Sequence, residues 1–142
     1  MAANNAKSEI GSDWLTIVSK SGTREFAAAF TTNAVIEASV LNQALSGPAA
    51  IDAFFVATAH GLYESLSFTA QTVDSRKTYL EWEGTVFGKE VGGTTILARD
   101  ATGLIESIQL YHRPLQVLLE FSKELAQRLK GKIDPSQLAP RV

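Results

Sequence analysis

Few side chains in this sequence combine a reactive type with a position that an enclosed site would use. His112 is one, because it shares strand parity with Ile108 and Leu110 in the run from Ile105 to Arg113. Alternate residues of a strand point to one face, so the imidazole is directed with those aliphatic chains toward the interior. An imidazole titrates near neutrality and can give or take a proton there, which makes His112 the candidate acid or base. His60 lies half a helical turn from the stripe of Ile51, Phe55 and Leu62 and is read as a surface residue. Glu81 and Glu83 share the outer face of their strand. Paired carboxylates do acid–base work only beside an enclosed site, so these two are read as solvated or facing a partner chain. Trp14 and Trp82 both fall on inward faces, where large rigid rings either fill a core or wall a pocket for a flat apolar ligand. The sequence has no cysteine, which excludes disulfides and thiolate metal sites. No metal and no cofactor are expected, since no ligand cluster is visible and Gly88, Gly92 and Gly93 do not open a helix as phosphate-cradling glycines do.

The elements that must position these residues centre on Thr78 to Pro114. Leu80, Trp82, Gly84 and Val86 alternate with Tyr79, Glu81, Glu83 and Thr85, the period-two pattern of a half-buried strand. Phe87-Gly88-Lys89 makes a first reversal, and Glu90 to Arg99 returns, with Gly92-Gly93 marking a bulge or a close backbone approach. Asp100 to Gly103 makes a second turn, and Ile105 to Arg113 is the third strand, stopped by Pro114. Upstream, Ile10, Trp14, Ile17 and Val18 form one face of a helix beginning near Ser8 or Ser12. A shorter helix spans about Thr23 to Phe30, and Ala34 to Leu41 reads as a strand after a Thr31-Thr32-Asn33 turn. Pro48 suits the first turn of a third helix, with Ile51, Phe54, Phe55, Thr58 and Leu62 along one side. A further strand runs from about Ser65 to Val73. After Pro114, Leu115, Leu118, Phe121, Leu125 and Leu129 make a helical stripe that Gly131 ends. The expected class is therefore α+β: a curved mixed sheet, mostly antiparallel, with four helices.

A chain of 142 residues that is 45% hydrophobic can bury one substantial core, so a single domain over 1–142 is expected, with residues 1–7 and 133–142 as flexible tails. The formal net charge of -2, without a basic cluster, argues against a nucleic-acid partner. No charged-then-apolar leader opens the sequence, and no apolar run approaches the ~20 residues needed to cross a bilayer. A soluble cytoplasmic protein that does not engage the membrane is the expectation.

Several stretches, weak alone but moderately specific in their order and spacing, carry a resemblance. They are Asn33-Ala34-Val35-Ile36-Glu37, Ser46-Gly47-Pro48-Ala49-Ala50-Ile51, Glu81-Trp82-Glu83, Asp100-Ala101-Thr102-Gly103-Leu104-Ile105 and Arg113-Pro114-Leu115. Together they resemble the SnoaL-like, ketosteroid-isomerase-like group of the nuclear transport factor 2 superfamily. The resemblance implies a cystatin-like, cone-shaped roll with a cavity at its open end, and a homodimer. Its members include isomerases, cyclases, dehydratases and epoxide hydrolases. Ketosteroid isomerases use an aspartate base and an oxyanion hole built from a tyrosine and a protonated carboxylic acid. Laid over this sequence, the base position falls on Ala38. The acid falls on Thr95, or on Leu97 if the first hairpin differs in length, and the tyrosine falls near Trp14. Both carboxyl groups are missing. Glu37, next to Ala38, points to the opposite face of a regular strand. Arg99-Asp100 sits at a hairpin tip and is read as turn chemistry rather than the arginine–aspartate pair of the epoxide hydrolases. The expectation is a cavity lined by Trp14, Ala38, Trp82, Thr95, Leu97, Ile108 and Leu110, holding a small apolar molecule. The alternatives are an isomerase, cyclase or dehydratase that works through His112, and a non-catalytic dimeric interaction module.

Overall fold

The computed structural model describes residues 10–140, so the expected amino-terminal tail and the last two positions of the carboxy-terminal one lie outside the described residues. The elements in chain order are α1 (Ser12–Ser19), a 3-10 turn (Phe26–Ala29), β1 (Phe30–Ala38), β2 (Leu45–Ser46), α2 (Pro48–Ala59), β3 (Ser65–Asp74), β4 (Lys77–Val86), β5 (Lys89–Arg99), β6 (Ile105–Arg113), α3 (Leu115–Leu129) and a second 3-10 turn (Pro135–Gln137). One six-stranded sheet runs in the order β2-β1-β6-β5-β4-β3, antiparallel except where β1 lies parallel to β6. The fold is the expected α+β roll, a curved mixed sheet with helices on its inner face.

Strand parity follows the alternation in sequence. Leu80, Trp82 and Val86 are buried on β4 while Glu81 and Glu83 are exposed, and Ile108, Leu110 and His112 are buried on β6. On β1, Ala34, Ile36 and Ala38 are buried and Glu37 is exposed. Each fully buried large apolar chain of this set contributes about 1.5–3 kcal/mol relative to exposure. The inner face is covered in two parts: α2 packs on β1, and α3 packs on β6. Pro48 occupies the first turn of α2 as expected, following Gly47 at φ 90°.

Four features differ from the sequence reading. The second helix is only a four-residue 3-10 turn, because Phe30 is already extended and pairs with Ile105 of β6. The expected contact between Phe26 and Phe30 still forms, with ring centroids 4.7 Å apart. For the same reason β1 begins at Phe30 and stops at Ala38 rather than running from Ala34 to Leu41. Thr31-Thr32-Asn33 stay extended as an irregularity within β1, where the register against β6 shifts between Phe30 and Val35. The apolar stripe of α3 is Val117, Phe121, Leu125 and Leu129, whereas Leu115 is 69% exposed. Finally, the segment after Gly131 has a partner. Ala139 donates its backbone N–H to the Ala44 carbonyl, Gln43 Nε2 and Ser46 Oγ donate to the Ala139 and Gln137 carbonyls, and Ile133 and Leu138 pack on the core.

Gly92-Gly93 marks a close approach, not a bulge, since the register of β4–β5–β6 is continuous through both. A Cβ on Gly93 would lie 2.0 Å from the Tyr111 carbonyl oxygen and 2.4 Å from a carbon of the Trp82 indole. The indole lies across the place a side chain would occupy. That position brings Trp82 edge-on to His112, with centroids 5.1 Å apart and ring planes at 76°.

Candidate functional site

A cavity of about 390 Å³ opens between α1, α2 and the inner face of the sheet. Its inner wall is apolar and aromatic, built from Trp14 of α1, Phe55 of α2, Trp82 of β4 and Leu110 of β6, with Thr58 and Thr95 among them. Trp14 meets Phe55 edge to face, with centroids 5.3 Å apart, so the two helices present one continuous aromatic wall. Thr58 donates its hydroxyl to the Phe54 carbonyl at 3.0 Å and is thereby satisfied within its own helix. The mouth is bordered by exposed residues: Leu15 and Ser19 of α1, then His60, Glu64, Ser65 and Leu66 from the end of α2 to the start of β3. This size falls within the ordinary range of small-molecule sites, as does an apolar wall with few polar points.

Trp14, Trp82, Thr95 and Leu110, four of the residues expected to line the cavity, do so. Three others lie outside its lining. Ile108 is wholly buried within the core. Leu97 borders a smaller hollow, with Trp14, Leu80, Gln71 and Arg99. Ala38 sits at the far end of β1, beside a surface hollow formed with Leu41–Ala44 and Ala139. For β1 the physical reason is coverage, since α2 packs on that strand.

His112 points inward but does not line the cavity. It is enclosed by Tyr63, Trp82 and Phe121, with the Phe121 centroid 4.6 Å away. Its Nε2 shares a 2.5 Å hydrogen bond with the Tyr63 hydroxyl, and its Nδ1 is buried without a partner. Its backbone N–H donates to Ser39 Oγ at 2.9 Å. Burial pulls the imidazole down to about 4, and burial likewise raises the Tyr63 phenol above the ordinary tyrosine range. The pair is therefore neutral at pH 7, and Tyr63, which does border the cavity, takes up His112 Nε2.

The sequence reading missed Tyr63, His60 and Glu64 as lining residues. His60 is exposed, as expected, but it stands just past the end of α2 at Ala59 with φ −106° and ψ 62°, outside helical geometry. Gly61 was the available signal, because a glycine past the last periodic residue marks a helix end. The imidazole turns to the mouth, where its Nε2 lies 2.7 Å from Ser21 Oγ. Glu64 is the one carboxylate among the described lining residues, and it is exposed, with Oε1 accepting from the Gly88 N–H at 2.9 Å. Glu37, Glu81 and Glu83 are exposed and lie outside the lining. Among the described residues no three His, Asp or Glu side chains come together as a metal site would require. None of the described helices is long and apolar enough to cross a membrane.

A curved sheet rolled over helices with a cavity at one end is the architecture of the cystatin-like, ketosteroid-isomerase-like and SnoaL-like proteins of the nuclear transport factor 2 superfamily, and this chain has that fold. No protein-family model matches its sequence, and no curated protein matches it either. Solved structures do. A steroid delta-isomerase from Pseudomonas aeruginosa superposes with a TM-score of 0.73 at 18% identity, covering 84% of this chain and 88% of the isomerase. A cystatin-like protein from Silicibacter pomeroyi gives 0.72 at 12% identity, over 81% of this chain and 80% of that one. A SnoaL-like protein from Agrobacterium tumefaciens gives 0.53 at 16% identity, over 70% of this chain and 97% of its own. Likeness at these identities is likeness of fold, and function must be argued from the site.

Proposed function

We propose that this protein binds a small, flat, apolar molecule in the cavity between α1, α2 and the sheet, and does not turn it over by the ketosteroid-isomerase route. The observation that carries the reading is the wall itself. Both tryptophans of the sequence, Trp14 and Trp82, border one hollow with Phe55 and Leu110, while the positions that the resemblance matches to the isomerase carboxyl groups hold Ala38 and either Thr95 or Leu97. Proton abstraction beside a carbonyl needs a base within hydrogen-bond reach of the substrate. An isomerase, cyclase or dehydratase that uses His112 is less favoured, because Tyr63 takes its Nε2 and burial holds the ring neutral. The cavity argues in the same way against an interaction module whose interior is filled by its own side chains.

Calorimetric titration with naphthalene tests this. One site per chain with a dissociation constant of about 10–100 μM is expected, within the affinity ceiling for a ligand of that size. Val18→Phe, which fills space at the cavity wall, should weaken binding at least about tenfold. Absence of saturable binding, or binding indifferent to the filled variant, would sink the reading.

We further propose a homodimer formed through the outer face of β4–β6. Tyr79 and Ile96 are cross-strand neighbours there and are half-buried, and Tyr111 is 43% exposed. Light scattering at micromolar concentration should return twice the chain mass, and a monomer would refute it.

A further inference from the structure

The walls of the cavity are not held equally. α1 contributes Trp14, Leu15, Val18 and Ser19 to the lining, yet of its eight residues only Trp14 is buried, against six in α2 and four in α3. A helix that short does not persist on propensity alone, so α1 is held in place by what its side chains and ends touch. Its carboxy end is fastened twice. The Gly22 N–H donates to Asp52 Oδ1 of α2 at 2.7 Å, and Ser21 Oγ, on a buried residue, lies 2.7 Å from His60 Nε2 just past α2. Buried Phe26 anchors the chain that follows. The amino end is fastened to β3 by one described side-chain hydrogen bond, from the Gly11 N–H to Gln71 Oε1 at 3.0 Å. Phe68 of β3 also packs there, since a Cβ on Gly11 would come 2.6 Å from its ring. Phe68 lines the cavity, and so do Ser65 and Leu66 at the exposed start of the same strand. Both ends turn through left-handed glycines, Gly11 at φ 72° and Gly22 at φ 86°.

We propose that α1 is a lid. It turns about its Ser21–Gly22 end, and the parting of Gly11 from Gln71 and Phe68 widens the gap between α1 and β3 through which a ligand enters and leaves. Trp14 returns the lid: its edge-to-face contact with Phe55, with centroids 5.3 Å apart, covers apolar surface that water would otherwise meet. The proposal rests on the binding reading given above, but the hinge is a property of the free chain and is measured without ligand as well.

Stopped-flow tryptophan fluorescence with naphthalene at pH 7, on the full chain, tests the lid through its two kinds of fastening. The Gln71 bond is broken in the open form, and the Asp52 bond is kept. Gln71→Ala, at an exposed position, should therefore raise the association and dissociation rates together by about fivefold, the share of one hydrogen bond, with the dissociation constant within about twofold of native. Gln71→Glu keeps an acceptor for the Gly11 N–H and should stay near the native rates. Asp52→Ala loses a bond common to both forms and should leave both rates within about twofold. Amide exchange of the free protein supplies a second arm: the Gly11 N–H should be protected at least about tenfold less than the Gly22 N–H, after correction for intrinsic rates. Rates unchanged by Gln71→Ala, or raised as much by Asp52→Ala, overturn the lid while the site stands. A loss of affinity confined to faster dissociation does the same. Protection at Gly11 equal to or greater than that at Gly22 overturns the hinge. If naphthalene does not bind, the site reading falls, and amide exchange alone decides for or against the hinge.

Discussion

Acidification from pH 7 to pH 4 is expected to remove on the order of 3 kcal/mol of folding stability through His112 alone. Burial holds this imidazole down at about 4 against an ordinary value of 6.5. Between those two values the unfolded chain takes up a proton that the folded chain does not, and stability falls as pH drops wherever the unfolded state binds more protons. The contribution is thus fully present above about pH 6.5, declines through the interval, and is exhausted near pH 4. Each pH step within the interval removes about 1.4 kcal/mol per unit. The cause is local: Tyr63, Trp82 and Phe121 enclose the ring, and the described contacts place no carboxylate beside it to compensate a positive charge.

Urea midpoints at pH 7, 5.5 and 4, compared between the native chain and His112→Gln, would isolate the effect. Glutamine offers an acceptor to the Tyr63 hydroxyl but cannot titrate, so the variant should be less stable at pH 7 and nearly flat over the interval. Asp100 and Asp134 are held below their ordinary 3.8 chiefly by hydrogen bonds from Thr102 and Ser136, so what they contribute is lost only at still lower pH. Parallel losses in the native chain and the variant between pH 6.5 and 4 would show that the imidazole is not responsible.

Gly93→Ala is expected to cost about 3 kcal/mol or more, and the same change one residue earlier, at Gly92, less than about 1 kcal/mol. The contrast follows from what each added methyl would meet. At Gly93 it would come 2.0 Å from the Tyr111 backbone oxygen, which cannot retreat without breaking the β5–β6 ladder, and 2.4 Å from the Trp82 ring. At Gly92 the nearest atoms, at 2.6–2.7 Å, belong to the Arg113 guanidinium. That group is the end of a flexible, exposed side chain that can swing away. Alanine is otherwise the better strand residue, because it gives up less backbone entropy, so a steric cost at Gly93 must outweigh a small intrinsic gain. Urea unfolding of both variants, with near-ultraviolet circular dichroism to follow Trp82, would decide it. Equal costs at the two positions would refute the close-approach account. A large cost at Gly93 with an altered tryptophan signal would also link this glycine to the cavity, since the indole it admits is part of the cavity wall.

The alternation of Leu80, Trp82, Gly84 and Val86 with charged and polar neighbours was sufficient to assign inner and outer faces on β4, and the same held for β6, while on β1 it separated the two faces without saying which was inner. That is so because the period of a strand is two whatever surrounds it. Turns at Gly88 and at Asp100 to Gly103 were similarly readable, since the backbone there needs glycine or an aspartate that accepts from nearby N–H groups. The apolar spacing of Ile51, Phe54, Phe55 and Thr58 placed α2, and the charges of Glu124 and Arg128 fell one helical turn apart at 3.6 Å.

Only the tertiary structure decided which inward residues border empty space. Parity says that Ala38, Ile108 and His112 point in, but not what lies above them. α2 packs on β1, Tyr63 and Phe121 of α3 enclose His112, and the main cavity lies between α1, α2 and Trp82, Thr95 and Leu110. The rim was invisible for a related reason. Once Gly61 ends the helix, the directions of His60, Tyr63 and Glu64 are set by partners dozens of residues away, at Ser21, His112 and Gly88. The docking of the carboxy-terminal segment depends mainly on carbonyls and one N–H that meet β2 and the residues before it. Every residue carries those groups, so no side-chain pattern announces the contact. Local periodicity determined the faces of this protein, and the covering of those faces, which is a long-range packing outcome, determined its site.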